Sequence, residues 1–361
     1  MKRKIAVVGA GNAACITALH YYFHGKDLFD ITLYHDPTLP QERVGQGFTV
    51  GVSSLIGNSL GIDWYDNPIA ATFKSGIMYE GWGSKRDKIF HSFPLHHMAM
   101  HYSPTKLSRV VLDSGKFKVI EKKIEDPEKE IDSNYIIDCR GRVNRNKDDY
   151  TSLVNPLNSV LLGTKLGGDS SLNYTRGVAT PNGWTFIVPN QESFSYGYLY
   201  NNTITTKEEA KNDFFERFHV IADINGELEF ENYLVKDIFV GERTMLNGNK
   251  AFFLEPLEAT ATDCYINICK HMWDYITQIP TPIDKKQTNW SVKRVAKEVE
   301  NYILWHYQFG SKYDSPFWDY AKSLPFNPDD KFRKMMKLPN DSLAAYGNWT
   351  PRFFNRWRSN V

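Results

Sequence analysis

The sequence lacks any long apolar run, and its first apolar stretch, residues 5–8, has only the length of a strand before a glycine. A membrane span needs about 20 apolar residues and a secretory signal needs a longer apolar core, so neither is predicted. Cysteine is scarce as well: four residues lie scattered in apolar surroundings, without metal-ligand spacing, at positions 15, 139, 264 and 269. We therefore expect buried, reduced thiols, no metal site and a soluble cytoplasmic protein.

A charge excess of either sign is also absent. The chain has 43 Lys and Arg residues against 42 Asp and Glu residues, which gives a formal net charge of +1. No overall field attracts nucleic acid or an anionic membrane, so neither is expected as a partner. The C-terminal residues 351–358 interleave arginine with aromatic rings, a pattern also found in nucleic-acid contacts. An amphipathic tail that packs on its own domain is the favoured interpretation.

What the sequence has in quantity is length and aromatic side chains. A chain of 361 residues with 42% hydrophobic and 14% aromatic residues can bury a large core and line a pocket with rings. No internal repeat or low-complexity linker divides it. We expect a single body over residues 1–361 rather than two domains on a hinge. The oligomeric state is left open, a homo-oligomer included.

A dinucleotide-binding motif begins the chain. The apolar strand of residues 5–8 is followed by Gly9-x-Gly11-x-x-Ala14, then by helical periodicity and a second strand at residues 31–34. The first glycine permits a tight turn, the second lets the backbone approach a pyrophosphate, and the third small residue lets helix and strand pack. We expect the helix N-terminus, with Asn12 and Ala13, to bind the phosphates.

The ribose position after the second strand departs from the usual pattern. An acidic residue is expected there, yet the sequence has His35 followed by Asp36. Either Asp36 binds the ribose hydroxyl groups, or Asp36 is an ordinary turn residue and the adenosine ribose is held weakly.

A further strand that ends in an acidic residue indicates FAD rather than NAD. Residues 135–137 are apolar, and Asp138 and Gly141 follow them. Such a strand returns the chain to the nucleotide-binding crevice in FAD proteins of the glutathione-reductase and hydroxylase type, and a simple dehydrogenase does not need it. We therefore predict that Asp138 and Gly141 bind the cofactor. A charged hairpin is predicted to join this strand to another at residues 117–120.

The remaining segments give a coarser prediction. Residues 37–105 are rich in glycine, proline and aromatic residues and indicate an irregular, partly helical stretch. Residues 150–235 alternate apolar and polar side chains between turn signals, which predicts an antiparallel sheet with the substrate pocket. A strand at residues 251–254 runs into a helix, and a second helix covers residues 290–308.

Five segments resemble segments of one known family, and they follow one another along the chain in the same order as in that family. Residues 253–260, FLEPLEAT, are similar to its FLEPLEST segment, and residues 183–189, with residues 196–198 after them, to its GWxWxIP segment. Residues 44–49 resemble its GVGEAT loop, and residues 73–77 the segment that carries a catalytic lysine. His306-Tyr307 and the DSPFW of residues 314–318 resemble its HY…DTPFW stretch. The chain is identified as a shortened and divergent member of the flavin-dependent halogenases of the tryptophan halogenase family.

The resemblance implies a fold. It is an α/β fold with an FAD-binding Rossmann-like domain of the glutathione-reductase and aromatic-hydroxylase type. An antiparallel sheet and a helical substrate layer pack on that domain. The FAD-binding parts would be residues 1–50, 105–145 and 235–275, and the substrate-binding parts residues 51–104, 146–234 and 276–361.

The resemblance also implies a reaction. A separate flavin reductase supplies FADH2, and the flavin hydroperoxide reacts with a halide ion to give hypohalous acid. A lysine then directs the hypohalous acid to a small electron-rich, indole-like aromatic substrate. FAD is therefore the expected cofactor and a halide the expected co-substrate.

The catalytic residues that the resemblance implies are Lys74 and Glu258. Lys74 would hold the hypohalous acid by a hydrogen bond or react with it to give a haloamine. Glu258 would orient the lysine or accept the proton of the ring intermediate. An exposed strand-edge lysine and a carboxylate near a helix start, where Glu255 competes, are the alternative interpretations.

The resemblance extends to three binding sites. It adds to the cofactor site Gly45, Gly47, Phe48, Thr49, Leu254 and Pro256. It implies a halide site at Thr260 and Ala261. It implies a substrate sandwich of His91, Phe93 and Trp318, although His91 alone also suits a structural role.

The sequence departs from the family at three positions of the halide and substrate sites. Ala259 replaces a serine and Ala261 a glycine. A methyl group at the second position hinders the close approach of an anion to the backbone, and it disfavours a positive φ angle there. Tyr313 stands where tryptophan-specific members carry an acidic residue, which argues against free tryptophan as the substrate. The short chain further suggests a smaller lid over the substrate.

Two alternative functions stay open. One is an FAD-dependent aromatic monooxygenase on the same fold. The two tryptophans of the GWxWxIP segment would separate halogenases from monooxygenases, but Phe186 replaces the second of them, so the segment does not decide between the two. The other is a flavin-binding protein that has lost catalysis, which the two alanine replacements favour. The pair Lys74 and Glu258 favours the halogenase, because a hydroxylase has no use for it.

Overall fold

The computed structural model describes residues 2–40, 44–93, 99–142, 146–167, 172–340, 342 and 349–361 of the chain. The chain divides into two compact units. The first comprises Met1–Thr72, Met98–Ser152 and Tyr233–Ala296. The second comprises Phe73–His97, Leu153–Asn232 and Lys297–Val361.

The regular elements are as follows. The strands are β1 (Arg3–Val8), β2 (Phe29–His35), β3 (Gln46–Gly47), β4 (Thr72–Lys74), β5 (Gly76–Glu80), β6 (Lys88–Ser92), β7 (Ala99–Tyr102), β8 (Lys118–Glu121), β9 (Tyr135–Asp138), β10 (Tyr150–Ser152), β11 (Ser159–Leu166), β12 (Thr175–Thr180), β13 (Gly183–Pro189), β14 (Ser193–Tyr200), β15 (Ala222–Glu229), β16 (Tyr233–Val235), β17 (Thr244–Leu246) and β18 (Phe252–Phe253). The helices are α1 (Asn12–Gly25), α2 (Val50–Leu60), α3 (Pro104–Asp113), α4 (Pro127–Glu130), α5 (Lys207–Phe218), α6 (Ala261–Thr277), α7 (Pro282–Tyr307), α8 (Pro316–Ser323), α9 (Asp330–Met335) and α10 (Pro351–Asn360). Short 3-10 helices cover Lys147–Asp149, Gly248–Lys250 and Leu257–Ala259.

The first unit contains a parallel sheet of five strands in the order β17-β9-β1-β2-β8. In the central strand β1, Val8 is in register with Tyr34 of β2 and with Asp138 of β9. Residues 5–7 of this strand are fully buried, as expected of a parallel strand that is covered on both faces. The carboxyl ends of the five strands meet at one edge of the sheet, and the dinucleotide-type sheet predicted from the sequence is confirmed.

The charged hairpin predicted between the strands at residues 117–120 and 135–138 is wrong. Strand β8 pairs with β2 and strand β9 pairs with β1 and β17, all of them parallel. The charged segment between them folds into α4, where the Glu130 carboxylate accepts the backbone N–H groups of Glu125 and Asp126 at 2.8 Å. The charge pattern predicts a turn between two paired strands, but each strand pairs with a partner that lies far away in the sequence.

The rest of the first unit contains two small strand arrangements, the helices α1, α2, α3, α4 and α6, and the first part of α7. Strands β10, β16 and β18 form a small antiparallel sheet, and β3 pairs antiparallel with β7. The strand predicted at residues 251–254 is thus shorter than expected, and it leads through a 3-10 helix into α6. All four cysteines are buried with free thiols, and burial raises the pKa of Cys15 and Cys269 to about 12. Such thiols are unreactive at neutral pH.

The second unit contains a mixed sheet of seven strands in the order β15-β11-β14-β13-β12-β5-β6. The strands from β11 to β15 pair antiparallel, as predicted for residues 150–235, while β12 and β5 pair parallel. Phe186 lies opposite Gly197, and a Cβ atom at Gly197 would come within 2.1 Å of that ring. Two of the sequence segments therefore fit together across the sheet, and the predicted α/β fold class is confirmed.

Helices cover the sequence that follows. The helix predicted at residues 290–308 is α7, which begins earlier, at Pro282. The C-terminal segment folds into α10, which packs on β6 and buries Pro351, Phe354 and Trp357, as expected of an amphipathic tail. Within the described ranges, no helix has both the length and the apolar character that a membrane span requires.

Candidate functional site

The turn after β1 has the geometry that a dinucleotide motif requires. Gly9 has φ +127°, and a Cβ atom there would lie 3.2 Å from the carbonyl oxygen of Cys139. Its backbone N–H donates to the carbonyl of Tyr34 at 2.8 Å, which ties the turn to β2. Glycine is required at this position both for the conformation and for the close approach of β9.

The N-terminus of α1 has room for a phosphate group. Gly11 is the N-cap of α1, no side chain caps the helix, and a Cβ atom at Gly11 would meet nothing within 4 Å. Asn12 is the first helical residue, and the buried residues Ala13 and Ala14 follow it. Amide groups at an uncapped helix N-terminus with open space before them fit the pyrophosphate of a dinucleotide.

The two acidic residues predicted to bind the cofactor have partners within the chain. Asp36 accepts the backbone N–H and the hydroxyl of Thr38 through Oδ1, at 2.9 and 2.6 Å, and the Thr38 hydroxyl lowers its pKa. Asp36 therefore does form a turn, which the alternative interpretation expected. Asp138 is buried, and Arg140 binds both of its oxygens at 2.9 and 2.8 Å. Gly141 follows with φ +71° and open space at its Cβ position.

The segment from Gly45 to Thr49 lies in the first unit, beside other predicted cofactor residues. Gly47, in β3, is in register with His101, and its carbonyl accepts the Thr262 hydroxyl at 3.4 Å. Phe48 is buried and stacks on Tyr102, with ring centroids 3.6 Å apart. Thr49 is the N-cap of α2, and its hydroxyl donates to Asp263 in the first turn of α6. The segment is thus joined to the start of α6.

The FLEPLEAT segment connects β18 to α6 in the first unit. Leu254 is buried, and Pro256 is the N-cap of the 3-10 helix Leu257–Ala259. Glu255 and Glu258 are both buried carboxylates, with exposed fractions of 0% and 7%. Neither lies in the first turn of α6, where the acidic residue is Asp263. Glu258 does lie in the first turn of the 3-10 helix Leu257–Ala259, three residues before α6, so a carboxylate near a helix start stays an alternative role for it.

The backbone at the predicted halide site is unusual. Glu258 and Ala259 have positive φ angles of 67° and 53°, which are rare for residues with a side chain. Thr260 returns to a helical conformation, with φ −74° and ψ −19°, and is the uncapped N-cap of α6. A left-handed residue followed by a right-handed one turns successive N–H groups toward one side, which favours an anion. The predicted halide residues Thr260 and Ala261 lie at this helix start.

The concern that Ala261 disfavours a positive φ is wrong. Ala261 is the first residue of α6, and the positive φ lies instead at Ala259. The sequence comparison locates the replaced residues but not the conformation of each. Strain from a methyl group at this site therefore lies two residues earlier than expected.

Glycine replacements at these two positions should have different effects on the free energy of unfolding. At Ala259 the left-handed conformation costs about 1 kcal/mol, which Gly relieves, so we expect Ala259→Gly to leave stability unchanged or raise it. Ala261→Gly, within a right-handed helix, should lower stability by about 0.5–1 kcal/mol. Urea denaturation of both variants measures the difference, and a loss at Ala259 equal to that at Ala261 would contradict the assignment of φ.

Lys74 lies in the second unit, at the end of β4. It is completely buried, which is rare for lysine, and its Nζ lies 5.3 Å from the ring centroid of Phe93. The backbone N–H of Phe93 donates to the carbonyl of Ser75 at 2.8 Å, which fixes the ring beside the lysine. The alternative of an exposed strand-edge lysine is therefore wrong, because the side chain is enclosed.

The other two predicted substrate residues lie in an aromatic cluster of the second unit. The ring centroid of His91 lies 3.9 Å from that of Phe353, and the ring of Tyr79 is 6.5 Å away. Trp318 has no exposed surface, and its indole N–H donates to the carbonyl of Thr180 at 2.8 Å. The ring centroid of Trp82 lies 5.2 Å from that of Trp318. Contacts of this kind also suit core residues, and the roles in substrate binding stay predictions.

Tyr313 is held by a polar network in the second unit. Arg217 donates to the Tyr313 hydroxyl at 3.0 Å and to Asp213 at 2.6 Å. Tyr198 also donates to Asp213, at 2.7 Å. Tyr313 therefore presents a hydroxyl that is bound to a guanidinium, and the Asp213 carboxylate of this network is already paired with the same guanidinium.

Four contacts were not predicted from the sequence. They involve Tyr102 under Phe48, Asp263 bound to Thr49, Arg140 on Asp138, and Phe353 against His91. Arg140 alone had a local signal, because it follows Asp138 by two residues. The other three come from distant segments that no spacing connects.

The chain is similar to proteins of one family over nearly its whole length. A family model described as tryptophan halogenase matches residues 4–108 and 104–359. The tryptophan 7-halogenase RebH of Lentzea aerocolonigenes is 25% identical over 222 residues, which are 56% of this chain and 41% of that protein. The tryptophan 6-halogenase ThaL of Streptomyces albogriseolus is 27% identical over 201 residues, 51% of this chain and 36% of that one. The matched region thus spans less than half of each relative.

Solved structures show the same fold. Xcc4156, a flavin-dependent halogenase from Xanthomonas campestris, superposes with a TM-score of 0.82 at 17% identity, over 100% of this chain and 90% of that one. The tryptophan 6-halogenase SttH from Streptomyces toxytricini superposes with a TM-score of 0.81 at 16% identity, over 99% and 90% of the two chains. At such identities the likeness concerns the fold alone.

Proposed function

Because the chain belongs to the tryptophan halogenase family, we propose that it is an FADH2-dependent halogenase of an electron-rich, indole-like aromatic substrate. A separate flavin reductase would supply the FADH2. The observation that carries the proposal is Lys74, a fully buried lysine against an aromatic ring, at the position of the family's catalytic lysine.

The dinucleotide site of the first unit fits FAD. The uncapped N-terminus of α1 and the open space at Gly11 suit the pyrophosphate, and Gly9 permits the turn before them. Asp36 and Asp138 are occupied by Thr38 and Arg140, which supports weak adenosine binding and a flavin that exchanges with the reductase. Reduced flavin, when bound, would supply the two electrons and two protons with which dioxygen, a halide ion and one further proton give hypohalous acid and water.

Lys74 would deliver the hypohalous acid to the substrate. A buried ammonium group donates hydrogen bonds without competition from water, so it can hold the oxygen of hypohalous acid at a fixed place. The ring carbon of the substrate then forms a bond to the halogen, while the halogen–oxygen bond breaks and the ring proton leaves with the oxygen as water. Fixing the electrophile beside one carbon selects the position of halogenation.

Glu258 would accept a proton, and the start of α6 would bind the halide ion. The buried Glu258 carboxylate can accept the proton of the cationic ring intermediate. We assign the halide to the amide groups at Thr260 and Ala261, where the left-handed turn of Ala259 precedes an uncapped helix N-terminus. A methyl group at Ala261 leaves less room there than glycine, and this supports a preference among halides.

Free tryptophan is not the substrate that we propose. At Tyr313 the chain presents a hydroxyl bound by Arg217, where an ammonium group would need a carboxylate. An aromatic compound without a free α-amino group suits this surrounding better.

One assay tests the proposal. The full chain is incubated with FAD, NADH, a flavin reductase and a panel of indoles, in chloride, bromide and iodide separately. Products are read by mass spectrometry, where bromine is recognised by its isotope pattern. We expect a halogenated indole that requires the protein, the reductase and the halide.

Each other result has a distinct meaning. A product that gains one oxygen atom instead of a halogen would indicate an aromatic monooxygenase. Absence of any product, together with no binding of reduced flavin in anaerobic titration, would indicate that neither activity belongs to this chain.

A further inference from the structure

A polar, open pocket lies along α10 in the second unit, on the C-terminal segment where the sequence interleaves arginine with aromatic rings. Its volume is about 620 Å³, within the size range of small-molecule sites. The residues that line it are Pro339, Asn340, Arg352, Asn355, Arg356, Arg358 and Ser359, and we call it the arginine pocket. Three of the seven are arginines and none is acidic.

The positive charge of the arginine pocket is not compensated within the described part of the chain. No ion pair between described residues involves Arg352, Arg356 or Arg358. Arg352 and Arg356 are one helical turn apart, so their guanidinium groups lie on the same face. Burial, and then the charge of Arg352, lower the pKa of Arg356. Like charges that converge without a carboxylate favour an anionic ligand.

Two of the three guanidinium groups and the Asn355 amide are held in place by the surrounding structure, while Arg352 is exposed. Arg356 donates through Nη1 to the Ser92 hydroxyl at 2.9 Å, and Arg358 donates to the carbonyl of Met336 at 3.0 Å. Asn355 donates through Nδ2 to the carbonyl of Leu338 at 2.8 Å. Each guanidinium has five N–H groups, so these contacts fix the orientation and leave donors for a ligand. A site with fixed donors binds an anion without much ordering cost.

The arginine pocket is connected to Lys74 through one strand of the same unit. Arg356 contacts Ser92, the last residue of β6, and Phe93 follows it directly. The ring of Phe93 lies 5.3 Å from the Nζ of Lys74. On the same helix as Arg356, the ring of Phe353 lies against His91, with centroids 3.9 Å apart. The anion-binding residues and the proposed catalytic lysine therefore flank the same two residues, Ser92 and Phe93.

We infer that the arginine pocket binds the phosphate group of the aromatic substrate, an inference that rests on the proposed function. A phosphate monoester carries up to two negative charges and several acceptor oxygens, which match converging guanidinium forks better than a single carboxylate does. The substrate would then be an aromatic compound with a phosphate group, held by its anion at α10 while its ring reaches Lys74. Free inorganic phosphate has the same chemistry and is the other source of such a ligand.

Binding of inorganic phosphate to the full chain, measured by calorimetry at low salt, tests the pocket itself. We expect Arg352→Gln to weaken binding about tenfold, the usual result of losing one charge-assisted hydrogen bond, because Arg352 is exposed and its replacement leaves the fold intact. Arg86→Gln, at an exposed arginine outside the pocket, is the matched control and should bind as the native chain does. No binding by the native chain, or equal weakening in both variants, overturns the inference.

Indolyl phosphate and indole, titrated in the same way, separate the two sources of phosphate. Tighter binding of indolyl phosphate than of both indole and inorganic phosphate, lost in Arg352→Gln, supports a phosphorylated substrate. Equal binding of indolyl and inorganic phosphate overturns it in favour of free phosphate. These titrations need no turnover, so a chain that binds indolyl phosphate but halogenates nothing contradicts the proposed function and not the pocket.

Discussion

Lys74→Met should lower kcat for halogenation of the aromatic substrate by on the order of a thousandfold, while the oxidation of reduced flavin continues. The variant removes the ammonium group that would hold the hypohalous acid. Methionine has nearly the same length and is apolar, and Lys74 is completely buried, so the replacement leaves no buried charge and should not lower stability. Product formation by mass spectrometry gives the first measurement, and oxygen consumption gives the second.

A diffusible trap for hypohalous acid distinguishes delivery from formation. If Lys74 only delivers the electrophile, the trap is halogenated by Lys74→Met as fast as by the native chain. The matched control is Lys250→Met, because Lys250 is the other buried lysine among the described residues and has no proposed role. Native activity in both variants would remove the observation on which the proposed function depends. Loss in both would show that buried lysines here support the fold.

The elements that the sequence predicted well are those whose signal is local. The strand, glycine turn and helix at the start of the chain lie within about 35 residues, and each step has its own residue pattern. The hairpin between β8 and β9 failed for the opposite reason. Charge and turn signals at residues 121–130 describe that segment correctly, but the pairing of the strands depends on β1 and β2, more than 80 residues earlier. Local pattern cannot decide between pairing partners of similar apolar character.

The candidate site shows the same division. Lys74 was identified by the resemblance, and its burial agrees with that assignment. The left-handed turn at Glu258 and Ala259 had no signal, because neither residue is glycine. The arginine pocket also had no signal in the sequence that predicts a cavity. The spacing of Arg352 and Arg356 predicts one helix face, but the cavity also needs Pro339 and Asn340, which no periodicity connects to α10.

Gly11→Asp should separate flavin binding from stability by changing them in opposite directions. Gly11 is the N-cap of α1 and no side chain caps the helix, so an aspartate there can accept an N–H group of the first turn and favour the helix dipole. Its Cβ atom meets nothing within 4 Å, so no clash is introduced. We expect the free energy of unfolding to rise by a few tenths of a kcal/mol, up to about 1 kcal/mol.

The same carboxylate would stand where the pyrophosphate of FAD binds. Two like charges about 4 Å apart near a protein surface repel by about 4 kcal/mol, so FAD affinity should fall on the order of a hundredfold or more. Gly11→Ser also caps the helix but carries no charge, and it should retain most of the affinity. Quenching of flavin fluorescence gives Kd, and urea denaturation gives stability. FAD affinity in Gly11→Asp equal to that in Gly11→Ser would mean that no phosphate group lies at α1. Both side chains cap the helix, and only the aspartate carries a charge that repels an anion.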